Sequence, residues 1–257
     1  MKKSSAFARV FALGILVLLF GAGVAEANHS WNGYHWARAA NPFTLTLGDN
    51  VTANWDAYLQ TTSSDWSVSN VLDTAVVSGN ASRNCKPTAG RAEICNRTYG
   101  NNGWLGVAQI WVKGSHITQG TVKVNDTYFN TPTYNTTAWK NLVMCQEVGH
   151  IFGLDHQDEN FSNVNLGTCM DYTDNPESNQ HPNAHDYEEL EIIYAHLDTT
   201  TTVGQTTARG NSNKLDNQSE WGKEIHRSAD GRASIFERDL GQENKVLTHV
   251  FWAEPRR

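Results

Sequence analysis

The sequence predicts an α+β domain with an α/β-type N-terminal lobe. Three observations carry this. Strand-like and helix-like runs alternate between residues 43 and 152. A long irregular stretch follows them. A last helical pattern then closes the unit near residue 197, which is the layout of helices packed on a twisted mixed sheet.

Phe43 to Leu47 alternates apolar residues with Thr and stops at Gly48-Asp49, the pattern of a strand. Val51 to Trp66 spaces Val51, Trp55, Tyr58, Leu59 and Trp66 at helical intervals. Val71 to Val77 reads as a second strand. The polar stretch around Cys85 and Cys95 reads as a loop. Leu105 to Val112 is a strand ending in the turn Lys113-Gly114-Ser115, and Gly120 to Phe129 alternates as an edge strand or hairpin arm. Thr136 to Phe152 carries Trp139, Leu142, Val143, Ile151 and Phe152 in a helical pattern. Asp186 to Leu197 forms the closing helix, with Pro182-Asn183 near its start.

The ends differ from this body. Lys2 and Lys3 precede an apolar run from Val10 to Phe20, and Ala25-Glu26-Ala27 fits the small-x-small cleavage rule. Residues 1–27 therefore read as a secretory signal peptide. The run is shorter than the roughly 20 residues a membrane span needs, so the expectation is an extracellular protein with no span after cleavage. From Thr199 the composition turns polar, with Thr199 to Thr202 and Gly210 to Asn213 bracketing a linker. Ala233 to Phe236 and Val246 to Trp252 are short strand-like runs beyond it. The domain plan is thus a signal peptide over 1–27, a main domain over 28–198, and a linker with a small β-rich or disordered extension over 199–257.

Composition narrows the function. The chain has 257 residues, 39% of them hydrophobic and 18% charged, with a formal net charge of −7. That supports a packed core and argues against a nucleic-acid binder, which needs clustered Lys and Arg to neutralise phosphates. Export also changes how the cysteines are read. Four cysteines allow three pairings, and sequence proximity favours Cys85–Cys95 and Cys145–Cys169. No C-x-x-C pair points to a four-cysteine zinc site.

The chemistry is concentrated in Cys145-Gln146-Glu147-Val148-Gly149-His150-Ile151-Phe152-Gly153-Leu154-Asp155-His156. Gln146 and His150 are one helical turn apart on one face, with Glu147 beside them. Gly153 can end the helix with positive φ and return His156 toward the same point. Three such side chains can hold one metal and leave a fourth position for water, whose proton Glu147 would take.

These residues resemble the metzincin zinc peptidases, whose pattern is H-E-x-x-H-x-x-G-x-x-H followed by a Met-turn. Every fixed position matches except the first, where Gln146 replaces His. Thr168-Cys169-Met170-Asp171-Tyr172 is the candidate Met-turn. The resemblance implies a twisted mixed sheet with an active-site helix and a C-terminal helix. It implies Zn²⁺ on Gln146, His150 and His156, with Glu147 and Tyr172 catalytic and Met170 as an apolar floor. It also implies a monomeric enzyme cleaving peptide or protein substrates laid along an edge strand. If Gln146 does not ligate, the candidates to complete the site are His116, His181 and His185. A Cys145–Cys169 bridge would tie the metal-bearing helix to that floor.

Other clusters carry less. Asp155, Asp158 and Glu159 offer oxygens for Ca²⁺ but lack EF-hand spacing, and read first as a solvated acidic surface. Trp31, Tyr34 and Trp36 read as packing against the first strand ahead of a carbohydrate platform. The alternative function is a secreted pseudo-peptidase that binds a protein or glycan without cleaving it.

Overall fold

The structure is a computed structural model that describes residues 28–206, 215 and 217–253. The signal peptide expected over 1–27 and the Gly210–Asn213 part of the linker lie outside the described residues.

Among the described residues nine strands form one mixed sheet. They are β1 (His35–Trp36), β2 (Phe43–Asn50), β3 (Leu72–Ser78), β4 (Ala92–Arg97), β5 (Trp104–Lys113), β6 (His116–Asn125), β7 (Lys223–Arg227), β8 (Ala233–Gly241) and β9 (Asn244–Trp252). The helices are α1 (Ala53–Trp66), the single turn α2 (Asp126–Phe129), α3 (Thr137–Ile151) and α4 (Ala184–Ile193). The order is β3-β2-β4-β6-β5-β9-β8-β7, with β1 paired to the start of β6. Strands β3, β2, β4 and β6 run parallel, and β6, β5, β9, β8 and β7 alternate antiparallel. Among the described residues no helix is long and apolar enough to cross a membrane.

Three sequence expectations change. The Cys85–Cys95 stretch holds a strand, β4, and not only a loop. Ala92 to Asn96 is buried throughout, so it lacks the alternation that marks a half-exposed strand. The Gly120–Phe129 run is not an edge, because β6 lies between β4 and β5 with partners on both sides. The segment beyond residue 198 does not stand apart. Its β9 pairs with β5 from Trp104 to Lys113 and makes β7–β9 part of the same sheet.

The helix α3 sets the position of the candidate site. Thr136 starts it, its side chain accepting the Trp139 N–H. Apart from Lys140, every residue from Ala138 to Ile151 is buried. A helix covered on all sides lies in the core, here between α1 and strands β5 and β6. Its end is fixed by Gly153 at φ 97°, where a Cβ would collide with the Tyr34 carbonyl.

Two disulfides tie the chain, Cys85–Cys95 and Cys145–Cys169. The second joins α3 to the segment bearing Met170 across 24 residues, a loop whose closure is worth about 3 kcal/mol in the chain-entropy picture.

Candidate metal centre

Three histidines from distant parts of the chain converge: His150 on α3, His156 just after Gly153, and His249 on β9. Their candidate ligand atoms lie within 4.8 Å of one another, and all three side chains are buried. The ring of His249 sits 3.8 Å from that of His150 and 4.6 Å from that of His156, centroid to centroid.

The sheet makes room for this meeting. His249 pairs with Ala108 of β5, and Gly106 lies two residues away on the same face. A Cβ at Gly106 would run into the carboxylate of Glu147. The two smallest side chains on β5 thus leave the space that His249 and Glu147 fill. On the other side of α3, Met170 closes the floor. Its Sδ would be 2.6 Å from a Cβ at Gly149, so only glycine allows this approach.

His150 and His249 each have one nitrogen engaged and one left over, and His156 turns one nitrogen toward carboxylates. His150 Nδ1 lies 2.9 Å from the Leu154 carbonyl, which fixes N–H there and leaves the lone pair on Nε2. His156 Nδ1 faces Asp155 Oδ1 at 3.3 Å and Glu159 Oε1 at 3.5 Å. His249 Nε2 lies 2.9 Å from the Tyr172 hydroxyl, and its Nδ1 is 3.6 Å from Glu147 Oε2. His150 Nε2, His156 Nε2, His249 Nδ1 and both oxygens of Glu147 are buried with no hydrogen-bond partner. Buried polar atoms in proteins are nearly always satisfied. A group of unsatisfied nitrogen atoms from three converging rings, with outer partners orienting the rings, fits a metal.

Protonation favours free lone pairs on two of the three rings. Burial, helped by His156, drives His150 down to about 3, and burial drives His249 well below its ordinary value. Both rings are neutral near neutral pH. His156 goes the other way. Burial disfavours its charge, but Asp155 and Glu159 outweigh that and raise it to about 9. Burial pushes Glu147 well above the carboxylate range, with His156 partly offsetting it. One consequence is testable. His150 and His249 gain protons more readily unfolded than folded, so their contribution is present above about pH 6.5 and is lost as pH falls toward 3. Metal-free protein is therefore expected to lose stability across that window in an acid titration followed by circular dichroism.

The sequence-predicted residues divide as follows. Glu147, His150, His156, Met170 and Tyr172 gather within this centre. Gln146 is buried on the same helix face, and its Nε2 donates to the Cys169 carbonyl at 2.8 Å while Oε1 has no hydrogen-bond partner. His116, His181 and His185 lie elsewhere: His116 faces Asp198, His181 faces Asp65, and His185 packs against His29. Asp155 and Glu159 turn toward His156, whereas Asp158 accepts from Asn160 N and Asn163 Nδ2. Trp31 packs edge-on against both His150 and His249, so it belongs to the wall of the centre.

His249 was not among the sequence candidates. Its signal was a single histidine inside the apolar run Val246 to Trp252, in a chain whose motif lacks one ligand.

No family model and no curated protein matches the chain. Among solved structures, that of myroilysin is similar over 65% of this chain and 98% of its own, at 12% identity and a TM-score of 0.39.

Proposed function

We propose that this chain is an exported zinc-dependent endopeptidase of metzincin-like design, in which His249 stands in for the missing first histidine. The observation that carries it is the convergence of His150, His156 and His249 beside a buried Glu147 whose oxygens have no hydrogen-bond partner. Three imidazoles with one open position are a catalytic zinc set, whereas structural sites are closed by four protein ligands. Zinc in this place supplies Lewis acidity toward a peptide carbonyl. His150 Nε2, His156 Nε2 and His249 Nδ1 are the donors. Glu147 takes the proton of the attacking water and returns it to the leaving amine, a role that suits a carboxyl held well above the ordinary carboxylate range by burial. Tyr172 orients His249 through its hydroxyl, and Gln146 braces the Cys169 carbonyl beside the Met170 floor.

The peptide does not add as a strand beside β5, because β9 takes that edge. Strands β5 and β9, the body of α3 and Trp31 wall the centre, so in this reading substrate enters from the 155–172 loop. Val164 and Leu166 are exposed there, and Phe161 stacks on Tyr172 with ring centroids 4.6 Å apart.

Glu147→Gln is the direct test. It is expected to keep one zinc at this centre and to lower hydrolysis of a quenched fluorogenic peptide library by about 10²–10⁴-fold. A second reading, a binding protein that keeps the metal only as a brace, is favoured by one observation: Glu147 is wholly buried. Metal-dependent cleavage that is unchanged by Glu147→Gln, or absent from the wild type, sinks the peptidase reading.

A further inference from the structure

A second cluster of ligating side chains lies outside this centre. His35 comes from β1, His116 from the first residue of β6, and His196 and Asp198 from the segment after α4. Strand pairing sets the first two side by side, with His35 and His116 in register. The third ring stands nearly perpendicular to His35, at 89° and 4.6 Å between centroids, and the ring of His116 stands at 82° and 5.0 Å.

The donor atoms of His35, His116 and Asp198 lie within 4.8 Å of one another, and His196 joins them through His35 and Asp198. His196 Nε2 is 3.1 Å from His35 Nε2. Asp198 Oδ1 is 3.2 Å from His116 Nε2, and 3.6 Å from both His35 Nε2 and His196 Nε2. The centre of a regular tetrahedron lies at about 0.61 of its edge from each corner. In a tetrahedron built on these four separations the centre lies about 1.9–2.2 Å from each corner, the range of zinc–nitrogen and zinc–carboxylate bonds.

The surroundings hold these atoms in place. His35 Nδ1 lies 2.9 Å from the Gly33 carbonyl, so its N–H sits there and Nε2 keeps its lone pair. The other oxygen of Asp198 accepts from Arg38 Nη1 at 2.9 Å and from Arg38 N at 3.2 Å. Arg38 is itself tied to the carbonyls of Tyr194 and His196. A ligating carboxylate with its free oxygen anchored, and a ligating imidazole with its far nitrogen on a carbonyl, are the outer contacts metal sites use.

We infer that His35, His116, His196 and Asp198 form a second, structural zinc site. Three neutral imidazoles and one carboxylate complete a tetrahedral set with no position left for water, so this ion does no chemistry. It fastens β1 and the segment after α4 to the head of β6. Trp31, four residues before His35, is the wall of the other centre, so the second ion also steadies that wall.

The experiment is metal counting by mass spectrometry on purified full-length chain, with thermal unfolding alongside. The double variant His150→Ala/His156→Ala removes the first centre and is expected to retain one zinc per chain. His196→Ala, whose side chain is half exposed, is expected to contain one zinc fewer than wild type and to melt lower. His116→Ala is expected to do the same. If the first centre binds no metal, wild type holds one zinc and His196→Ala none, so the two sites succeed or fail separately. Zinc content and melting temperature unchanged in both His196→Ala and His116→Ala overturn the second site, as does a zinc-free His150→Ala/His156→Ala that remains folded.

Discussion

Replacing His249 by Ala is expected to cost zinc at the first centre, with affinity falling by more than about 100-fold and peptide hydrolysis falling with it. Loss of an outer partner of a ligand already costs 10–100-fold, and loss of the ligand costs more. The informative comparison is with Gln146→Ala, which is expected to keep the metal, because His249 supplies the third imidazole beside His150 and His156 while Gln146 is anchored through Nε2 on the Cys169 carbonyl. Competition titration with a chromophoric chelator reads both. A double variant, Gln146→His/His249→Ala, moves the third imidazole to the position one turn before His150 and is expected to recover part of the lost affinity. Loss of zinc in Gln146→Ala with retention in His249→Ala would reverse the assignment.

The second large effect is on the fold. Gly153→Ala places a Cβ on a residue at φ 97° and drives it into the Tyr34 carbonyl. Neither side can yield easily. The Gly153 carbonyl accepts from Trp31 N at 2.6 Å, and Asp155 N donates to His29 at 2.5 Å, so the N-terminal segment is laced to this turn. Strain of a forbidden backbone region costs of order 1–3 kcal/mol, and the collision adds to it, for a total of about 3 kcal/mol or more. The expected readout is a fall in Tm on the order of 10 °C for a domain of this size. A change of only a degree or two would mean that the turn relaxes at little cost.

Much of the fold was legible, for a physical reason. Strand β2 and helix α1 carry a local period that burial on one side imposes, and β5 and α3 stand out as long, largely apolar runs. Strand β4 was missed because its five leading residues are buried on both faces, which erases that period. The position of β6 inside the sheet was missed because strand order depends on partners that no local pattern encodes. The candidate site divides the same way. Glu147, His150, Gly153 and His156 follow from helix geometry and a glycine turn, all within ten residues. His249 does not, since only the pairing of Ala108 with His249 brings it there. The vacancy left by Gln146 was visible, and the residue that answers it was hidden in an ordinary-looking strand.

The placement of His249 has a kinetic consequence. It lies 99 positions beyond His150, and β9 reaches it only by inserting between β5 and β8. Local pieces such as α3 and its disulfide can form early, but contacts across such separations come late because chain entropy opposes them. The three-imidazole pocket is then absent from any partly folded species that lacks β9. Metal capture becomes the closing event of folding rather than its seed. Trp31, edge-on to both His150 and His249, is placed to report that moment as a late change in indole fluorescence.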